Sequence, residues 1–191
     1  MLVGVVSDTH NNIKNIENII DIFNFEKVDV VVHTGDISQP KTLKMFSALN
    51  CPMIGVYGNN DRGESGFEEV CREFNFDIKE PPFLTYLNQK KVAIFHEPDL
   101  IDKYLFENDK IDVVIHGHTH RYRHEVKKNT LIFNPGESVK IKLVIANEEG
   151  WAEAENVIAT ISTDDDRCSI FSSKASLISL SPTRTRIFKS S

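Results

Sequence analysis

A chain of 191 residues, 40% hydrophobic and 26% charged, has the balance of an ordinary globular protein and the length for one substantial core, which excludes fibrous and disordered classes. Its formal net charge of -6 gives no general attraction to nucleic acid or anionic lipid, and no apolar stretch approaches the length of a bilayer crossing. Cys51, Cys71 and Cys168 are widely spaced without a C-x-x-C pair, which excludes a disulfide framework and a zinc ribbon. The direct start on an apolar run rather than a basic leader gives a cytoplasmic expectation.

Leu2 to Val6 is a short β-branched run that ends in Ser7-Asp8-Thr9-His10, the pattern of a buried strand delivering polar residues into a loop. Ile13, Ile16, Ile20 and Phe23 recur every three or four residues, which predicts a helix packed back on that strand. Val28 to Val32 repeats the strand pattern and discharges into His33-Thr34-Gly35-Asp36. Pro40 suits a first helical turn, with Leu43, Phe46 and Leu49 on one face. Met53 to Tyr57 is then a third strand ending in Gly58-Asn59-Asn60-Asp61, and Phe67, Val70 and Phe74 continue helically. Strand, loop and helix units in series are the signature of a parallel sheet.

After Pro81-Pro82 the pattern changes. Phe83 to Leu87 and Lys91 to Phe95 flank Asn88-Gln89-Lys90 as a hairpin whose second arm ends at His96. A short helix is expected over Leu100 to Glu107, and a strand over Asp112 to Ile115 ends in His116-Gly117-His118-Thr119-His120. Arg121 to Lys128 alternates as a solvated strand face, and Thr130 to Phe133 ends in Asn134-Pro135-Gly136. Val139 to Ala146 and Trp151 to Ile161 read as a closing hairpin. Residues 1–161 are therefore expected to form the domain. Residues 162–191, rich in Ser and Thr around the acidic run Asp164-Asp165-Asp166, are expected to be a flexible tail, with Ile170-Phe171 and Leu177 to Leu180 as the places where an added strand would form.

The chemistry lies at the strand ends. Nearly every predicted strand finishes at its C-terminal side with Asp, Asn or His, and in open α/β sheets the loops beyond those ends form the functional crevice. Asp8, His10, Asp36, Asn59, His96, His118 and His120 can therefore converge although the chain scatters them. Carboxylate, amide and imidazole donors without a competing thiolate suit divalent transition metals. These are too many protein ligands for one four-coordinate ion, and they divide between two ions if one carboxylate bridges. His33 and His116 read as hydrogen-bonded supports, His124 as solvated, and Arg62 as an exposed loop arginine that is also suited to a phosphate.

In this order, Asp8-x-His10, Gly35-Asp36, Gly58-Asn59-Asn60-Asp61, His96 and Gly117-His118-Thr119-His120 resemble the calcineurin-like metallophosphoesterases. The short spacing is most similar to the small YfcE-like and archaeal phosphodiesterase branch, whose late loop Asn134-Pro135-Gly136 also matches. The resemblance covers about Leu2 to Ile161 and implies an α/β fold, a four-layer α-β-β-α sandwich with two mixed sheets. It implies that Asp8, His10 and His120 hold one metal, that Asn59, His96 and His118 hold the other, and that Asp36 bridges them, with a bridging hydroxide as nucleophile.

The implied cofactors are two divalent ions, Mn²⁺ first, with Ni²⁺, Fe²⁺ and Zn²⁺ compatible. The implied partner is a small phosphate ester, most of all a diester, with nucleic acid expected only as substrate ends, no membrane partner, and a homo-oligomer left open. Asn60 and Asp61 are the candidate catalytic side chains. Asn60 stands where many relatives have a His that assists the phosphate or leaving group, and Asp61 is placed to orient a neighbouring ligand. Glu97-Pro98 departs from the Gly and polar residue that usually follow His96. A metallo-β-lactamase-type site would continue Thr119-His120 into Asp-His rather than Arg121-Tyr122. The competing reading is a non-catalytic, metal-binding interaction module similar to the retromer subunit of this fold, which has lost catalytic histidines that this chain keeps.

Overall fold

The computed structural model describes residues 1–108 and 110–136, together with the backbone strands at 140–145, 158–160 and 169–171. In chain order the first half runs β1 (Leu2–Val6), α1 (Ile13–Glu26), β2 (Val30–His33), α2 (Pro40–Met45) with a 3₁₀ turn at Phe46–Ala48, β3 (Met53–Val56), α3 (Phe67–Phe74) and β4 (Asp77–Lys79). The second half runs β5 (Phe83–Leu87), β6 (Lys90–Ile94), α4 (Ile101–Glu107), β7 (Val113–Ile115), β8 (Arg123–Lys127), β9 (Thr130–Asn134), β10 (Lys140–Ile145), β11 (Ile158–Thr160) and β12 (Ser169–Phe171).

These strands form two mixed sheets, ordered β12-β11-β10-β1-β2-β3-β4 and β5-β6-β7-β9-β8. In the first, β1 to β4 run parallel, and β10, β11 and β12 are added antiparallel beside β1. In the second, β6, β7 and β9 run parallel between antiparallel edges β5 and β8. The α1, α2 and α3 units supply the long crossovers that parallel neighbours require.

Side-chain alternation then assigns the layers. Val3, Val5, Val30, Val32 and Val56 of the first sheet meet Val92, Ile94, Val113, Ile115, Leu131 and Phe133 of the second in one core between the sheets. The opposite face of the first sheet, through Val6, Val31 and Met53, packs on Ile16, Ile19, Phe23, Leu43, Phe46 and Phe67 of the helices. The outer face of the second sheet, through Ala93, Val114 and Ile132, packs on Ile101 of α4. Three cores between four layers make the expected α-β-β-α sandwich. Gly4 fits this plan, because a Cβ there would lie 2.9 Å from the ring of Phe23, the residue that anchors α1. Truncating that fully buried ring to Ala would cost about 3–5 kcal/mol. Among the described residues no helix is long and apolar enough to cross a membrane.

Three local details differ from the sequence expectation or extend it. The hairpin closes with Leu87 opposite Lys90, so its turn is Asn88-Gln89, both with positive φ (45° and 66°), the twist that matches right-handed strands. Strand β4 adds an edge that periodicity did not show, because it is short and Ile78 is its buried residue. At the far edge, β12 pairs with β11 at Ile158↔Phe171, so Ile170-Phe171 lies in an added strand, one of the two places named for one. Leu177 to Leu180 and most of residues 162–191 lie outside the described residues, as does the connection expected at Asn147 to Gly150.

Candidate metal centre

Asp8 and His10 leave the end of β1 with left-handed backbone (φ 52° and 46°), and Asp36 does the same beyond β2 (φ 59°). The two loops continue side by side, Asp8 N–H donating to Gly35 O at 3.0 Å and His10 N–H to Asp36 O at 2.8 Å. Asp61, from the loop after β3, closes the group from below. Its carboxylate accepts the N–H groups of Asp36 (2.8 Å), Gly58 (2.7 Å) and Ser38 (2.6 Å), satisfying donors that no strand can pair. The glycines of the G-D and G-N pairs are explained by this approach. A Cβ on Gly58 would stand 2.2 Å from Asp36 Oδ1, and one on Gly35 would stand 2.6 Å from Gly58 N.

The second sheet delivers the histidines. His96, just past β6, has Nδ1 2.8 Å from Thr34 O. A carbonyl only accepts, so Nδ1 donates and Nε2 faces the cluster. Around Nε2 lie Asn59 Oδ1 at 3.0 Å, His118 Nδ1 at 3.3 Å and Asp36 Oδ1 at 3.5 Å. Past β7, His118 N–H donates to Asp8 Oδ2 at 3.1 Å, and His120 Nε2 reaches to 3.6 Å from Asp8 Oδ1. The rings of His10 and His120 are 5.8 Å apart, and His10 Nδ1 is 3.2 Å from Ser38 Oγ. Gly117 precedes His118 because a Cβ there would run into Ser7 Oγ and Thr34 Oγ1. All the residues singled out as ligands from the sequence thus meet through one chain of contacts.

The cluster fits cations on three grounds. Two groups, Asp8-His10-His120 and Asp8-Asp36-His96, each bring their ligand atoms within 4.8 Å of one another, with Asp8 common to both. Asp8 Oδ1 is buried and accepts no hydrogen bond, its contact with His120 Nε2 at 3.6 Å being too long for one. Acceptor atoms also converge on His96 Nε2, and without a metal the charge balance falls on a proton. Burial pushes His96 toward its neutral form, but the hydrogen bonds and charges of Asp36 and Thr34 O outweigh it and hold its pKa above the ordinary histidine value. Burial pushes Asp36 up, yet hydrogen bonds from His96 and Asn60 hold it well below the usual carboxylate range. Asp8 goes the other way, raised by burial.

A sequence model described as the calcineurin-like phosphoesterase superfamily domain matches residues 1–148. The chain belongs to that superfamily. It is 34% identical over 139 residues to a phosphodiesterase of Methanocaldococcus jannaschii, a match covering 72% of this chain and 84% of the relative. Among solved structures, a novel archaeal phosphodiesterase superposes with a TM-score of 0.69 at 31% identity, covering 78% of this chain and 94% of the other. The fold also matches the E. coli phosphoesterase YfcE (TM-score 0.62, 19% identity, 90% and 97% covered) and Vps29 of Entamoeba histolytica complexed with Zn²⁺ (0.63, 18%, 90% and 99%).

Around this cluster the supporting residues take distinct places. Asn60 donates from its backbone N to Asp36 Oδ1 (2.9 Å) and from Nδ2 to Asp36 Oδ2 (2.8 Å), while its neighbour Asp61 is only 2% exposed and faces backbone donors. His33 is fully buried: Gly35 N–H donates to its Nδ1, so its Nε2–H donates to Thr9 Oγ1 at 3.0 Å, and burial lowers its pKa to about 3. His116 is likewise buried, and desolvation lowers its pKa to about 4. Both are buried histidines that burial keeps neutral, at positions read from the sequence as supports. Arg62 pairs with Glu80 at 3.1 Å on the exposed loop, and His124 is exposed on β8. Ser7, whose Oγ donates to Asp8 Oδ2, and Ser38 went unnoticed in the sequence, where a Ser beside a ligand carries no signal of its own.

Proposed function

We propose that this chain hydrolyses phosphate esters, phosphodiesters first, with two divalent metal ions, Mn²⁺ foremost, held by Asp8, His10, Asp36, Asn59, His96, His118 and His120. The observation that carries the reading is the convergence of acceptor atoms on His96 Nε2 beside the buried Asp8 Oδ1, which accepts no hydrogen bond. Such a site is electrostatically incomplete without cations.

Divalent ions held there supply Lewis-acid polarisation of a phosphoryl oxygen and lower the pKa of a water. The chain's own residues do the rest. In this reading Asp8, His10 and His120 would hold one ion, Asn59, His96 and His118 the other, and Asp36 would serve both. Thr34 O fixes the tautomer of His96, so the ring offers one defined nitrogen. Asn60 is exposed and already bonded to Asp36, which places its amide to donate to a phosphate oxygen. A neutral amide donates a hydrogen bond but gives up no proton, so Asn60 stabilises charge rather than acting as a general acid. Asp61 contributes by positioning: it orders the loops that carry Asp36 and Asn59.

The test is turnover of bis-p-nitrophenyl phosphate in Mn²⁺ by the parent and by Asp36→Asn. Loss of about 10³-fold in the variant is expected, given what removal of a single charge-stabilising group costs other enzymes. Equal turnover by both proteins discards the mechanism.

A further inference from the structure

We propose that Asn134 is a positioning residue of this site, its carboxamide holding the Gly117-His118-Thr119-His120 turn in the conformation that aims both histidines into the cluster. The inference rests on the reading of these histidines as metal ligands and goes beyond it by naming what sets their geometry.

Asn134 is the last residue of β9 and is 0% exposed. Its orientation is fixed by its partners, because Gly136 N–H donates to Oδ1 at 2.7 Å, so Nδ2 points the other way. There Nδ2 meets Gly117 O at 2.9 Å, Thr119 Oγ1 at 3.1 Å and His116 Nδ1 at 3.2 Å. An amide has two hydrogens, and the two oxygens are the closer acceptors. Asn134 therefore grips the turn on both sides of His118, at the residue before it and the residue after it.

The turn needs that grip. His118 and His120 both have positive φ (67° and 55°), a region that L side chains resist and that persists only where the surroundings impose it. The start of the turn is held by Gly117 N–H on His96 O (3.0 Å) and His118 N–H on Asp8 Oδ2 (3.1 Å). Beyond that point Thr119 and His120 are exposed, and Thr119 Oγ1 is an inward tie, accepting from Asn134 and from Arg121 N–H at 3.3 Å. The loop after β9 adds a wall: a Cβ on Gly136 would lie 3.3 Å from Tyr122 N, just past His120. The strand-end pattern recurs here with a different purpose, an Asn that faces the loop beside it instead of the cluster.

Asn134→Asp is the decisive variant. It keeps the size of the side chain and the acceptor for Gly136 N–H, but turns a second acceptor toward Gly117 O. Two measurements on the full chain, stripped of metal, decide the matter: calorimetric titration with Mn²⁺, and amide hydrogen exchange over residues 117–122 against that over β1 to β3. The expected result is an Mn²⁺ affinity lower by about 10–100-fold, with faster exchange confined to residues 117–122. Thr119→Ala, at an exposed residue, removes one of the two ties and lowers affinity by about 3–10-fold without disturbing the fold. An Mn²⁺ affinity in Asn134→Asp within about twofold of the parent overturns the proposal, and if that variant cannot be purified, the same outcome in Thr119→Ala does so. A parent that binds Mn²⁺ but does not turn over bis-p-nitrophenyl phosphate sinks the phosphoesterase reading instead, while the affinity and exchange data still decide the role of Asn134.

Discussion

On the β1 to β3 side of the cluster the loops are gathered by a carboxylate, Asp61, which accepts backbone N–H groups from Asp36, Ser38 and Gly58; on the β7 to β9 side the turn is gathered by a carboxamide, Asn134, which donates to a carbonyl and a hydroxyl. The polarity of the backbone dictates the choice. Left-handed φ at Gly35, Asp36 and Ser38 turns N–H groups toward one point, the kind of concavity that takes an anion. In the Gly117 turn the carbonyl of Gly117 accepts from Thr119 N–H at 2.8 Å and lies 3.1 Å from His116 Nδ1 and 2.9 Å from Asn134 Nδ2, and a carbonyl only accepts, so the matching group on Asn134 is a donor. Loops of opposite polarity thus need ties of opposite polarity, and exchanging Asp for Asn is conservative on neither side.

The comparison can be broken most severely at the glycines. Gly58→Ala would force a Cβ to 2.3 Å from Asp36 N, a backbone atom that cannot swing away. The expected cost is about 3 kcal/mol or more in urea unfolding, together with loss of turnover. A variant within about 1 kcal/mol of the parent would show that the loops do not need their close approach. Next comes Asp61→Asn, which keeps the shape but sets an NH₂ against N–H donors; a loss of about 2 kcal/mol is expected, with activity falling alongside. Unchanged stability would mean that water serves those donors as well as the carboxylate does.

A smaller effect, visible only in acid, is expected at His33. Its folded pKa of about 3 lies below the ordinary 6.5 because burial penalises the charged ring. Above pH 6.5 the residue adds no pH dependence; below it the unfolded chain takes up a proton that the folded chain refuses, and stability falls until the folded pKa is reached. His33 then accounts for about 2 kcal/mol of the stability lost between pH 7 and pH 5. In His33→Gln the slope of unfolding free energy against pH should be shallower by that amount, and parallel slopes would remove His33 from the acid response. The smallest change is expected at Arg62, whose pair with Glu80 is exposed: Arg62→Ala alters stability by no more than about 0.5 kcal/mol. A larger loss would mark that loop as structural.

The alternation of Val3, Val5, Val30 and Val32 and the helical spacing of Ile16, Ile20 and Phe23 carried the layers, because burial on one face repeats with the period of the element. The candidate ligands were legible for a related reason: a polar residue directly after an apolar strand end is placed at the loop crevice. What stayed hidden depends on three-dimensional contact. Asp61 looked like a candidate for chemistry beside Asn60, and only its burial under the backbone donors reveals what it holds. Asn134 sat in a matched motif without a role, since nothing in Asn-Pro-Gly says that its amide faces Gly117, seventeen residues earlier. Strand β4 escaped because a three-residue edge carries too short a pattern to register.

The contact between Asp36 and His96, at 3.5 Å, joins side chains rooted in different sheets, and Thr34 O with His96 Nδ1 spans the same gap. Whatever charge balances that pair, be it a proton or an ion, becomes a rivet through the two middle leaves of the protein. Chelation would therefore loosen the sandwich from its C-terminal rim, and melting temperature would report occupancy before any substrate is added.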